Sequence, residues 1–182
     1  MSETNRFETH VRQDLYKYLL SVGEVDQHLP EAVDIEEKYR AVAESYLADG
    51  VREFANYPTV SLGWMMYIGM AVARFWDDDW AIYDHLDDLY LYMRSKSGYD
   101  LLDEYVRGEV LGLKQPDFDT TEQLVQECAE RTYSLLLHQR LEPGTEAAFR
   151  GYVACLHQLY LMGAYVQLHR MGYHMVNALA AN

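Results

Sequence analysis

Six aspartates lie between Asp77 and Asp88, and their carboxylates are the side chains of this sequence best suited to chemistry. At about 100° per residue, Asp77, Asp84 and Asp88 fall on nearly one line of a helix. Mg²⁺ and Ca²⁺ prefer oxygen ligands, so we predict these three residues as ligands of a divalent cation. A single helix rarely encloses such an ion, and a solvated acidic face is the alternative interpretation.

Asp79 belongs to the same cluster but falls on the opposite, apolar stripe of that helix, beside Phe75, Tyr83 and Leu86. A lone carboxylate is costly to bury without a partner. Asp79 must therefore be paired, protonated or exposed to a cavity. A paired carboxylate that fixes the helix register is one interpretation, and a carboxylate that lines a ligand pocket is the other.

The last predicted helix offers partners for this carboxylate, because Tyr160, Gln167 and His174 project from one of its faces. We predict Asp79 and His174 as a catalytic carboxylate–histidine pair, with Tyr160 and Gln167 as ligand-binding residues in a tyrosine-lined hollow. The alternative is that these polar groups satisfy one another and bind nothing.

Helices must position these residues, since the apolar periodicity is helical along the whole chain and favours no strand. The sequence predicts an all-α fold, a compact bundle of about six helices in one domain, 1–182. Two long central helices are expected at about 59–96 and 145–179, where Gly69 and Gly163 would let their backbones approach closely. The other predicted helices span about 7–23, 30–57, 100–110 and 119–141.

The formal net charge of −14 argues against phosphate-rich partners. A surface this acidic repels nucleic acid and anionic lipid, so we expect neither as a partner. Segments 56–73 and 151–168 approach the length of a membrane span, but polar and small residues interrupt both, and we predict buried helices instead. Cys128 and Cys155 form no disulfide or zinc pattern, which favours a cytoplasmic location.

The sequence contains no Glu-x-x-His pair, HExxH, Walker A or GxGxxG motif. The aspartates also lack the DDxxD spacing of isoprenoid synthases, because Ala81 follows Asp77 and Asp78 where a third aspartate is needed. The motifs therefore leave open whether the protein is an enzyme.

Two functions of different class remain. The chain has 16 tyrosines, and aromatic and methionine side chains around Trp64, Met66 and Met70 extend beyond a single apolar stripe. This surplus favours self-association, as a homodimer for example, or a protein partner. The alternative is a small-molecule or divalent-metal-dependent enzyme or binding protein that uses the aspartate-rich third helix.

Overall fold

Helices form almost all of the structure, a computed structural model that describes residues 2–173. No strand occurs in this part of the chain, so the predicted all-α fold is confirmed. The described residues form eight α-helices, more than the predicted six, and one π-helical turn, Val106–Val110, that continues α6. The α-helices are α1 Glu3–Ser21, α2 Val33–Asn56, α3 Pro58–Asp78, α4 Trp80–His85, α5 Leu89–Ser97, α6 Leu102–Tyr105, α7 Asp117–His138 and α8 Glu146–Arg170.

The centre of the bundle is the contact between α3 and α8, the most extensive contact between any two elements. A Cβ on Gly69 would lie 2.0 Å from the carbonyl oxygen of Tyr160, and a Cβ on Gly163 would lie 2.2 Å from that of Met66. Both distances are far inside van der Waals contact. The predicted close approach of the two backbones at these glycines is therefore confirmed.

The predicted continuous helix at 59–96 is wrong, because α3, α4 and α5 are separate helices over this range. Asp79 ends α3 and is the N-cap of α4, where its carboxylate accepts a hydrogen bond from the Ile82 N–H at 3.3 Å. Asp88 is the N-cap of α5 and accepts from the Leu91 N–H at 3.0 Å. Short carboxylate side chains compete with the helical backbone for hydrogen bonds, which favours them at caps.

The last predicted helix, 145–179, is too long at its C-terminal end. It begins as expected, since the Thr145 hydroxyl caps it by accepting from the Ala148 N–H at 3.2 Å. It ends at Arg170, where Gly172 adopts a φ of 92° and the Tyr173 N–H donates to the Leu168 carbonyl. A glycine in the left-handed conformation just past the last turn is a common helix terminator.

A buried polar cluster joins the central helices to α2. The Tyr46 hydroxyl donates to the Ser61 carbonyl at 2.5 Å, and the Ser61 hydroxyl donates to the Gly50 carbonyl at 2.7 Å. The Tyr152 hydroxyl of α8 lies 2.6 Å from the Ser61 hydroxyl. The tyrosines at this point of the core are thus hydrogen-bonded rather than simply packed.

No helix within residues 2–173 is both long and apolar enough to cross a membrane. Residues 58–73 of the first apolar segment and 151–168 of the second lie in α3 and α8, which are largely buried, as predicted.

Candidate functional site

The three aspartates predicted as metal ligands are not brought together by one helix. Asp77 lies at the end of α3 and accepts a hydrogen bond from the Tyr173 hydroxyl at 2.6 Å. Asp84 is exposed on α4, and Asp88 caps α5 and accepts from the Ser45 hydroxyl at 2.9 Å. Across the described residues, no group of three or more His, Cys, Asp or Glu side chains is placed to hold a metal ion.

The predicted Asp79–His174 pair is not seen as a pair, because His174 lies outside the described residues, which end at Tyr173. Asp79 is only half-buried, and its carboxylate caps α4. Within residues 2–173, two histidines of α8 lie close to carboxylates. His157 Nδ1 lies 2.8 Å from Glu8 Oε1, and His169 Nε2 lies 3.2 Å from Asp26 Oδ1.

Tyr160 and Gln167, predicted to bind ligand, are both buried in α8. The Tyr160 hydroxyl donates to the Ile35 carbonyl in the first turn of α2 at 2.6 Å. Gln167 Oε1 is buried and has no hydrogen-bond partner among the residues that the structure describes. Neither residue lines a cavity in the described part of the chain, but Ile35, the hydrogen-bond partner of Tyr160, lines one nearby.

This cavity has a volume of about 380 Å³ and lies where the start of α2 meets the C-terminal ends of α3 and α8. We call it the α2 cavity. Its volume is in the range of pockets that bind small organic molecules. It is lined by Pro30, Glu31, Ala32, Val33, Asp34, Ile35, Trp76, Leu168 and Tyr173.

Two aromatic rings form one side of the α2 cavity. The rings of Trp76 and Tyr173 pack edge to face, with centroids 5.4 Å apart. The hydrogen bond from the Tyr173 hydroxyl to Asp77 fixes the direction of the Tyr173 ring and raises the pKa of its phenol. The hydrogen bond to Asp77 thus orients the Tyr173 ring beside Trp76.

The charge at the α2 cavity is negative. Glu31 and Asp34 both line it, and none of its described lining residues is Lys, Arg or His. The N-terminus of α2 adds a partial positive charge of about +0.5, since no side chain caps it at Ala32. Two carboxylates outweigh this partial charge, so the net charge around the α2 cavity is negative.

Arg107 is a further buried charge, but its contacts assign it to the fold. Its guanidinium packs over the Phe118 ring and donates to the Phe118 carbonyl at 2.9 Å. It also pairs with Asp103 and Glu122, each at 3.3 Å. All three guanidinium nitrogens donate hydrogen bonds, so Arg107 links the π-helical turn to α7.

The sequence does not reveal the lining of the α2 cavity, because three distant segments form it. The sequence predicts Trp76 to be a core residue of the apolar stripe, and it predicts Tyr173 to be part of a continuing last helix. The second helix was expected from Pro30 but begins at Val33. The three residues before Val33 therefore form a wall of the cavity rather than a first helical turn.

Comparisons of the chain with protein-family models, with curated proteins and with solved structures give no match, so the geometry of the site alone supports the functional proposal.

Proposed function

We propose that the protein binds a small organic cation with an apolar body, such as an arylalkylamine, in the α2 cavity. The observation that carries this proposal is the combination of the Trp76 and Tyr173 rings with two carboxylates, Glu31 and Asp34, around one cavity of about 380 Å³. Ring faces attract cations and pack against apolar groups. A carboxylate forms a charge-assisted hydrogen bond with an ammonium group.

The whole molecule supports the same class of ligand. With a formal net charge of −14, the protein attracts cations and repels anions over its surface. Apolar side chains, including Val33, Ile35 and Leu168, form most of the remaining lining of the α2 cavity. A ligand with one cationic end and one apolar end matches both parts of this lining.

The test is calorimetric titration with three matched ligands: 2-phenylethylamine, 2-phenylethanol and phenylacetate. The three ligands share a phenyl ring on a two-carbon side chain, and their end groups are a cation, a neutral hydroxyl and an anion. We therefore expect the amine to bind most tightly and phenylacetate most weakly. Asp34→Asn should weaken amine binding roughly tenfold, since a hydrogen bond to a charged group contributes about 1.5–3 kcal/mol. It should leave alcohol binding unchanged.

The control is Glu37→Gln, which neutralises an exposed carboxylate on the same helix that does not line the α2 cavity. This variant should bind the amine like the wild type. Equal affinity for the amine and the acid, or equal losses in the two variants, would contradict the proposal.

Self-association is the second candidate, and the apolar rim of the α2 cavity favours it. Val33 and Tyr173 line the cavity yet are 60% and 46% exposed, and Trp80 of α4 is 54% exposed. A stable dimer would have to bury more than ~1,000 Å². Sedimentation velocity over a wide concentration range tests it, with Trp80→Ser expected to shift any dimer toward monomer. A monomer at every concentration would exclude this candidate.

A further inference from the structure

A second cavity, of about 280 Å³, lies between the start of α1, α2 and the middle of α8. We call it the His157 cavity. It is separate from the α2 cavity, since the two share no lining residue. Its described lining residues are Thr4, Glu8, Tyr39, Phe149, Arg150, Val153, Ala154 and His157.

His157 is held in place from two sides. Its Nδ1 lies 2.8 Å from Glu8 Oε1, and its ring stacks on the Tyr39 ring with centroids 4.6 Å apart. The contact with His157 is the main cause that lowers the pKa of the Glu8 carboxyl, so Glu8 is charged near neutral pH. A charged carboxylate at Nδ1 keeps a proton on that nitrogen.

The other ring nitrogen of His157 is less engaged. Nε2 lies 3.8 Å from Glu36 Oε1, which is beyond hydrogen-bond distance. An imidazole oriented through Nδ1 can use Nε2 for a hydrogen bond with a ligand. His157 therefore brings one oriented polar group to the wall of the His157 cavity.

Tyr39 also lines the His157 cavity. Its hydroxyl is buried and has no hydrogen-bond partner among residues 2–173. Burial raises the pKa of this phenol well above its ordinary value, so the group remains an O–H donor at physiological pH. A buried donor without a partner is unfavourable, and a ligand oxygen would satisfy it.

The rest of the His157 cavity is mainly apolar. Phe149, Val153 and Ala154 line it along α8. Arg150 also lines it, but its guanidinium forms an ion pair with Glu146 one turn away. The cavity thus offers an apolar surface with a hydroxyl and an imidazole, and it offers no unpaired charge that would recognise an ionic ligand.

We propose that the His157 cavity binds a small neutral molecule with a hydroxyl group on an apolar body, such as a phenol. The ligand hydroxyl accepts a hydrogen bond from Tyr39 and forms a second one with His157. Its ring packs against Phe149, Val153 and Ala154. This site is independent of the cation site proposed for the α2 cavity.

The experiment titrates the full-length protein with phenol and with toluene, which has the same ring without the hydroxyl. We expect phenol to bind more tightly than toluene. Tyr39→Phe removes one hydroxyl and keeps the ring, and it should weaken phenol binding about fivefold, the loss of one neutral hydrogen bond. Toluene binding should not change.

The matched control is Tyr83→Phe, because the Tyr83 hydroxyl is also buried without a described partner but does not line the His157 cavity. Phenol should bind this variant, and Asp34→Asn, as it binds the wild type. Thermal melting of both tyrosine variants checks that each one folds. Equal phenol affinity in Tyr39→Phe and the wild type, or toluene affinity as high as that of phenol, would overturn the proposal.

Discussion

The contact between Glu8 and His157 changes the pKa of the Glu8 carboxyl. The hydrogen bond with His157 holds the pKa of the Glu8 carboxyl below its ordinary value of 4.5. A carboxyl whose pKa is lower in the folded state than in the unfolded state stabilises the fold at pH values above its unfolded-state pKa. That contribution is lost as the pH falls through the folded-state pKa.

The pH dependence of stability therefore provides a test at the residue scale. Glu8→Gln should lower the free energy of unfolding at pH 5.5, and the difference from the wild type should shrink as the pH falls toward pH 3. Urea unfolding at several pH values measures this difference. The control Glu44→Gln changes a carboxylate of α2 that is 71% exposed and pairs only with an exposed arginine, so it should give a smaller effect. A difference for Glu8→Gln that stays constant to pH 3 would contradict the assignment.

At the scale of helices, the structure depends most on the glycine contacts between α3 and α8. A methyl group at Gly69 would overlap the backbone of Tyr160, and backbone cannot move aside as the end of a side chain can. Gly69→Ala should therefore destabilise the protein by about 3 kcal/mol, the upper end of the range for overpacking of a tight core. Thermal or urea unfolding checks this value.

Gly108→Ala is the matched control for this substitution. A Cβ at Gly108 would meet only the Phe118 ring, at 3.8 Å, which is ordinary contact. This variant should unfold within about 0.5 kcal/mol of the wild type, as most surface substitutions do. Similar losses in both variants would mean that the close approach of α3 and α8 does not govern stability.

Sequence reasoning was most successful for features that depend on the residue types along one face of a helix. Gly69 and Gly163 indicated a close helix contact, because small residues on apolar helices permit one, and the structure confirms it. The helical wheel did not apply at Asp79, since it assumes an unbroken helix and the Asp79 carboxylate instead caps α4. The predicted metal-binding face of Asp77, Asp84 and Asp88 depended on the same assumption.

The two cavities could not be predicted for a different reason. The His157 cavity places Glu8 of α1 against His157 of α8, and the α2 cavity places Asp34 near Tyr173. These pairs are far apart in sequence, and no periodic pattern within one helix relates them. Packing of the helices, which the sequence pattern does not specify, determines which residues meet at these positions.

At the scale of the whole molecule, the net charge of −14 should affect ligand binding at a distance. If the α2 cavity binds an amine, its affinity should fall as salt rises, because the Debye length shortens from about 30 Å at 0.01 M to about 8 Å at 0.15 M. Affinity for 2-phenylethanol should not change over the same range. Calorimetry at several salt concentrations makes this comparison, and an amine affinity that is independent of salt would exclude an electrostatic contribution.

The contact between Gly69 and Tyr160 also has a consequence for synthesis of the protein. These residues are about ninety positions apart, so α3 leaves the ribosome well before α8. At roughly 5–20 residues per second, the delay is about 5–20 s. During this time the face of α3 that α8 covers in the complete fold has no partner, although α2 and α7 can already pack against the rest of α3. A nascent chain that stops before α8 should therefore bind chaperones or aggregate, whereas the full-length chain folds.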